Sequence, residues 1–171
     1  MRRLVTLVIL LALAGCGGSS SGPKTLPPVS PSPSPSPLPS PTPSMTPEQQ
    51  VLAAVRAYYA AANTAAATGD VRPLEAASLP QCDCRKLARS IASTYAAKQR
   101  LVNAVDTLTN VKVINVAPPA ASVSATINVA AYSVVSANGA TKSYPADSFS
   151  VGIALIQQKG QWLVAAVRGA S

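Results

Sequence analysis

Cys82 and Cys84, separated only by Asp83, are the residue pair best suited to chemistry in this sequence. In an oxidising compartment they would form a local disulfide that fixes the loop before the next helix. Such a small ring should add less than the ~3 kcal/mol expected for a loop of roughly 15 residues. A redox pair is the alternative, because Arg85 and Lys86 at a helix start favour a thiolate on Cys84. We expect the disulfide and keep a thiol oxidoreductase as the alternative function.

The other titratable residues offer little for catalysis or for metal binding. The sequence contains no histidine and only six aspartate and glutamate residues, so an acid–base pair is hard to assemble. Two thiols without histidine do not complete a structural zinc site, and we predict no metal and no cofactor. Acid–base work would need a group aimed into a pocket, and the candidates are Tyr58, Tyr59, Tyr132, Asp106 and Asp147. We assign no catalytic residue.

Basic residues cluster on and just before the third predicted helix, in a chain of net charge +8. Such a patch attracts anionic lipid head groups or anionic envelope polymers. Equally, it can be a solvated helix face that keeps the domain soluble. Nucleic acid is excluded as a partner, because exposed aromatic residues are not interleaved with the basic ones. The predicted patch consists of Arg85, Lys86, Arg89, Lys98 and Arg100.

The first 16 residues have the pattern of an export signal, with Arg2 and Arg3 followed by an apolar run from Leu4 to Ala14. The run is too short to span a bilayer, which needs ~20 residues. Its end, Leu13-Ala14-Gly15-Cys16, resembles the lipobox of bacterial lipoproteins. The resemblance implies removal of residues 1–15, a diacylglycerol on Cys16 and a place on the extracytoplasmic face of the cell membrane. An ordinary signal peptide cut elsewhere, or an uncleaved anchor, is the alternative.

Residues 16–46 are predicted to be a disordered tether. Gly17 to Gly22 contains only glycine and serine, and proline then alternates with serine or threonine up to Pro47. Proline removes backbone donors and the segment has almost no large apolar side chains to bury. An extended chain of this kind advances ~3.1 Å per residue, which suits a stalk that displays a domain away from the membrane.

Residues 47–171 are long enough for one folded domain and begin with helical patterns. Thr46 is suited to cap a first helix that starts at Pro47 and ends at Gly69-Asp70. A short second helix is predicted from Pro73 to Ala77 and a third from Arg85 to Val105. The first helix has an apolar stripe formed by Val51, Val55, Tyr58, Tyr59, Ala62 and Ala66. The predicted buried face of the third consists of Leu87, Ile91, Tyr95, Val102 and Val105.

Beyond Val105 the apolar period changes from helical to alternating, which predicts strands. Pro118-Pro119, Asn138-Gly139 and Lys159-Gly160 are the predicted turns. We therefore predict an α+β fold in which N-terminal helices pack on a curved, four-stranded antiparallel sheet in a cone-like arrangement. Its strands are centred on the apolar rows Val111 and Val113; Val123 to Val129; Phe149, Val151, Ile153 and Leu155; and Trp162, Val164 and Ala166.

Several short motifs in this domain occur in the same order as in the nuclear transport factor 2-like, or SnoaL-like, fold. They are Tyr58-Tyr59, Thr68-Gly69-Asp70, Leu74-Glu75 and Gly160-Gln161-Trp162. With Leu74-Glu75-Ala76 and the two cysteines, the chain resembles an uncharacterised family of actinobacterial lipoproteins, whose members often place two residues between the cysteines instead of one. The resemblance implies a cone-shaped domain that often encloses a pocket, for which Tyr58, Tyr59, Tyr132 and Trp162 are the candidate lining residues. It implies no particular reaction.

These observations together predict a membrane-anchored extracytoplasmic lipoprotein with a small, non-catalytic binding or scaffolding domain. Its expected partners are the membrane, through lipidated Cys16, and either anionic envelope polymers or an apolar small molecule. A small enzyme that uses the pocket, or the thiol chemistry of Cys82 and Cys84, is the alternative function. A small-molecule carrier is a third possibility, and it requires an enclosed apolar cavity.

Overall fold

The computed structural model describes residues 44–169. The predicted signal peptide, the lipidation residue Cys16 and most of the predicted tether therefore lie outside the described residues. Within residues 44–169, none of the helices combines the length and the hydropathy that a membrane crossing requires.

The first helix, α1, spans Pro47–Thr68 and begins as the sequence predicts. Thr46 and Gln49 form a reciprocal cap, in which Thr46 Oγ1 accepts from the Gln49 backbone N–H and Gln49 Oε1 accepts from the Thr46 N–H, at 3.2 and 2.8 Å. The helix ends at Gly69, whose φ of 79° is the left-handed value that glycine adopts without strain. The predicted stripe is buried, and Ala65 joins it.

Two shorter helices follow, α2 at Arg72–Ala76 and α3 at Arg85–Ala96. The predicted extension of the third helix to Val105 is wrong. The chain reverses at Lys98, where φ is 56°, and a short strand follows. Strand pairing prevails there over the helical spacing of the apolar residues, because Leu101 pairs with Val134. Val102 is consequently not part of α3, and Val105 is 44% exposed.

Seven strands are described, and they form two separate antiparallel sheets. The main sheet has the order β2-β3-β6-β7, and the small sheet has the order β1-β4-β5. The strand bounds are β1 Arg100–Val102, β2 Asp106–Ala117, β3 Ala120–Val129, β4 Tyr132–Val135, β5 Thr141–Tyr144, β6 Asp147–Gln158 and β7 Gln161–Gly169. The α+β class and the four-stranded antiparallel meander are confirmed, with the small sheet as an addition.

The small sheet arises from a hairpin that the sequence signals but that we expected to join two main strands. Asn138-Gly139 turns the chain between β4 and β5, with φ of 82° at Gly139 and the Ser136 N–H donating to the Ala140 carbonyl at 2.8 Å. The main sheet instead resumes at β6, which pairs with β3. The other two predicted turns are confirmed, since Pro118-Pro119 connects β2 to β3 and Lys159-Gly160 connects β6 to β7.

The core lies between α1 and the inner face of the main sheet. The inward rows match the predicted alternation at most positions, and large side chains there are fully buried. Phe149 departs from the prediction, because it is 43% exposed although it begins the row of Val151 and Ile153. The largest fully buried side chains are Leu74, Ile153, Leu155, Val51, Val55, Val123, Val151 and Val164.

Candidate functional site

A cavity of about 570 Å³ lies between α1, α3 and the two sheets, and we call it the central cavity. Every described strand contributes at least one side chain to its wall, so both sheets are needed to form it. Leu87 and Phe149 line it and are 39% and 43% exposed, which places its opening to solvent on their side. The lining includes Ala62, Ala66, Leu87, Ile91, Leu101, Ala104, Ile127, Val129, Val134, Phe149 and Val167.

Two pairs of tyrosine rings line the central cavity. Tyr58 and Tyr59, adjacent on α1, make an edge-to-face contact with centroids 5.2 Å apart and planes at 84°. Tyr132 on β4 and Tyr144 on β5 are directly opposite each other and stack at 4.8 Å with nearly parallel planes. These rings hold one another in place, which gives the cavity rigid aromatic surfaces on the helix side and on the small-sheet side.

Asp106, the first residue of β2, places a carboxylate in this apolar surrounding. Its backbone is held by Asn63 on α1, whose amide donates to the Asp106 carbonyl at 2.9 Å and accepts from the Asp106 N–H at 2.8 Å. The Asp106 side chain makes no hydrogen bond or salt bridge with other residues in 44–169, and partial burial raises the pKa of its carboxyl. The fold thus fixes the main chain of this residue and leaves its carboxylate without a partner among residues 44–169.

The two tyrosines of α1 are held in their neutral form. Burial, and secondarily the Asp106 charge, raises the pKa of Tyr58 to about 12. Burial, followed by the nearby Tyr58 and Asp106, raises the pKa of Tyr59 still further. Because both phenols keep their protons at physiological pH, they can donate hydrogen bonds and do not serve as bases. The Tyr59 hydroxyl makes no hydrogen bond with another described residue and lines the central cavity.

The structure brings three of the four predicted pocket residues together. Tyr58, Tyr59 and Tyr132 all line the central cavity. Trp162 does not, which corrects the prediction, because β7 places its ring in the core at 7% exposure. Its indole nitrogen has no hydrogen-bond partner among the described residues. Asp147, a weaker acid–base candidate, lies exposed at the start of β6, where it accepts from the Ser148 N–H at 2.8 Å.

Of the two cysteines, Cys84 lies at the wall of the same cavity and Cys82 lies in the core beside it. Their sulfur atoms are at bonding distance, 2.01 Å apart. Cys82 is buried at 3% exposure, and Cys84 lines the cavity, with its carbonyl oxygen 3.5 Å from the Tyr58 hydroxyl. The pair thus fixes the loop that connects the cavity wall to α3. Within the described range there is no cluster of three or more histidine, cysteine, aspartate or glutamate residues that could hold a metal.

The predicted basic patch is only partly a surface feature. Arg85 points its guanidinium inward, where Nη2 donates to the carbonyls of Glu75 and Ser78 at 2.6 and 3.0 Å. Lys86 pairs with Asp83 at 3.0 Å. The other three members, Arg89, Lys98 and Arg100, are exposed, but the last two follow α3 instead of lying on it. The predicted patch therefore loses Arg85, which holds a loop together, and it extends beyond α3, because that helix ends early.

Asn63 and Tyr144 are two polar cavity residues that sequence reasoning missed. Asn63 is a polar residue beside the apolar stripe of α1. Asparagine is unfavourable in the interior of a helix, so its presence there indicates that its amide has a hydrogen-bond partner. Tyr144 could have been found from the hairpin: strands that meet at Asn138-Gly139 place Tyr132 opposite Tyr144.

Three solved structures are similar to this chain at low sequence identity. The intermembrane-space region of the chloroplast protein ARC6 matches with a TM-score of 0.53 and 16% identity, over 75% of this chain and 99% of that one. An NTF2-like protein from Streptomyces avermitilis matches at 0.48 and 18% identity, over 71% and 94%. An uncharacterised protein with a cystatin-like fold from Caulobacter vibrioides matches at 0.48 and 15% identity, over 72% and 87%.

A search of curated proteins found no match. A family model does match, over residues 33–168, which is well over half of the chain. The match includes all the residues that line the central cavity. The chain therefore belongs to the family of unknown function DUF6318.

Proposed function

We propose that this protein is a lipid-anchored extracytoplasmic protein whose domain binds a small, largely apolar molecule in the central cavity. The observation that carries the proposal is the cavity itself, about 570 Å³ in volume, with apolar and aromatic walls and the carboxylate of Asp106. Binding sites for small molecules have this size and this combination of apolar walls with few polar groups. Of the binding and scaffolding roles expected from the sequence, the cavity supports the binding of a small molecule.

A dye titration that compares two faces of one strand tests ligand binding. Val134 on β4 lines the central cavity, whereas its neighbour Val135 does not. We expect the neutral dye N-phenylnaphthylamine to bind the purified chain saturably, with increased fluorescence. Val134→Trp should weaken its binding by about tenfold or more by filling the cavity, whereas Val135→Trp should change it by less than about twofold. Absence of saturable binding, or equal effects of the two variants, would contradict binding in this cavity.

The membrane anchor rests on the sequence around Cys16 and needs its own test. Cys16→Ser removes the sulfur that would carry the lipid, so the protein should move from the membrane fraction to the soluble fraction of fractionated cells. Cys82→Ser is the matched control and should stay with the membrane. Retention of the Cys16→Ser variant on membranes would refute lipid anchoring and leave the cavity proposal standing.

A further inference from the structure

The charged side chains that line the central cavity have the opposite sign to the chain as a whole. The sequence carries 14 lysine and arginine residues against six acidic ones. Among the described residues, the charged ones that line the cavity are nevertheless Asp83 and Asp106, without any lysine or arginine. Asp83 is exposed and pairs with Lys86 at 3.0 Å. Asp106 therefore supplies the unpaired negative charge of the cavity.

Aromatic rings are concentrated in the same place. The chain has seven aromatic residues, and five of them line the cavity: Tyr58, Tyr59, Tyr132, Tyr144 and Phe149. The face of an aromatic ring carries negative potential and attracts a cation within ~6 Å of its centre. One such contact is already present, because the exposed Lys142 Nζ lies 5.0 Å from the centroid of Tyr144.

The arrangement is unfavourable for the protein alone. A partly buried carboxylate that makes no hydrogen bond or ion pair with residues 44–169 loses hydration without compensation, and burial raises the pKa of Asp106 for this reason. A positive charge that enters the cavity would compensate the carboxylate and would lie among the aromatic side chains that share its lining. An anion would meet only repulsion from Asp106, and a neutral ligand would leave its charge unpaired.

We propose that the ligand of the central cavity is an organic cation, with an ammonium group near Asp106 and an apolar body against Ile91, Ile127 and Val129. This inference rests on the proposed function, because it names the ligand class for the same cavity. The volume of about 570 Å³ leaves room for such a body in addition to the ammonium group.

Two probes of equal shape and different charge test the inference. They are (para-hydroxyphenyl)trimethylammonium and its neutral isostere para-tert-butylphenol, titrated calorimetrically into the purified full chain at neutral pH. We expect the cation to bind at least about tenfold more tightly than the neutral isostere. Asp106→Asn should remove most of this preference, because it keeps the shape of the side chain and removes its charge.

Asp147→Asn is the matched control, since it neutralises an exposed carboxylate that lies outside the lining of the cavity. It should change the preference by less than about twofold. Lys142→Gln removes the ammonium over Tyr144 and should leave binding of the cation unchanged or make it tighter. Weaker binding of the cation to this variant would contradict the inference.

Equal affinity of the two probes for the unmodified chain would overturn the cationic ligand, as would a preference that survives Asp106→Asn. If neither probe binds, the inference is also overturned. The dye titration of Val134→Trp and Val135→Trp reports on the cavity independently of charge. Ligand binding in the cavity and selection of a cation can therefore fail separately.

Discussion

Gly69, where α1 ends, is the position at which the smallest change should have the largest structural effect. A Cβ added there would lie 2.6 Å from Tyr95 Cγ, closer than real Cβ contacts allow. The Tyr95 ring on α3 cannot simply move aside, because its hydroxyl donates to the Ala66 carbonyl at 2.7 Å. Gly69→Ala must therefore push α3 away from α1 or break this hydrogen bond. Both helices line the central cavity, so the change also disturbs the site.

The expected loss of stability has two separable parts. The φ of 79° costs alanine about 1–2 kcal/mol, and overpacking against Tyr95 adds about 1–3 kcal/mol. Gly160 isolates the first part, because its φ is 80° and a Cβ there would meet nothing within 4 Å. We expect Gly69→Ala to lower the free energy of unfolding by about 2–5 kcal/mol, and Gly160→Ala by about 1–2 kcal/mol.

Urea unfolding monitored by circular dichroism measures both losses, and thermal unfolding should show about 4 °C per kcal/mol. The double variant Gly69→Ala/Tyr95→Ala completes the test. If the clash is real, its loss of stability is smaller than the sum of the two single losses. Equal losses for Gly69→Ala and Gly160→Ala, or additive losses in the double variant, would refute the close approach of α1 and α3.

Three further predictions concern the cavity wall. Asn63→Ala removes both hydrogen bonds to the Asp106 backbone and should lower the free energy of unfolding in urea by about 1–3 kcal/mol. The control, Thr64→Ala on the exposed side of α1, should lower it by less than about 0.5 kcal/mol. Similar losses for the two variants would contradict the role of Asn63. Asp106→Asn should be more stable than the unmodified chain at neutral pH. Because the folded-state pKa of Asp106 is raised, its ionised carboxyl destabilises the fold above that pKa. The greater stability of the Asn variant should disappear in acid, where the protonated Asp106 and the asparagine are both neutral. Greater stability that persists in acid would refute the electrostatic cause. Replacing both Cys82 and Cys84 by serine should cost less than ~3 kcal/mol in the same assay, because the ring they close is small, and a larger loss would show that the pair does more than fix its loop.

The sequence correctly predicted the helix cap, the helix and the turn whose conformation depends on residues that are neighbours in the sequence. The cap at Thr46, the stripe of α1 and the turn at Lys159-Gly160 depend on residues a few positions apart, and all are confirmed. The end of α3 was missed because Val102 and Val105 continue the helical spacing of apolar residues beyond Ala96, where the helix ends. The pairing of β1 with β4, more than 30 residues away, determines the conformation there.

The candidate site was predictable only in part for the same reason. Tyr58 and Tyr59 belong to a helical stripe and were found, but a buried aromatic stripe does not reveal which rings face a cavity. Trp162 was assigned to the pocket together with the tyrosines, whereas β7 places it in the core. Asp106 becomes significant only when the fold brings it close to Asn63 and to both tyrosines, which are more than 40 residues away.

The outer strands of the main sheet are β2 and β7. On the edge of each strand that faces away from the sheet, one residue has its backbone N–H and carbonyl hydrogen-bonded to another part of the chain. The Asn63 amide takes both backbone groups of Asp106 on β2. On β7, Val164 donates to the Ala77 carbonyl at 3.0 Å and accepts from the Leu79 N–H at 2.9 Å. Irregular register along β2 further reduces the flat length available there. A second copy of the chain therefore cannot add a regular strand at Asp106 or at Val164 without breaking these hydrogen bonds, which disfavours edge-to-edge pairing at these two points.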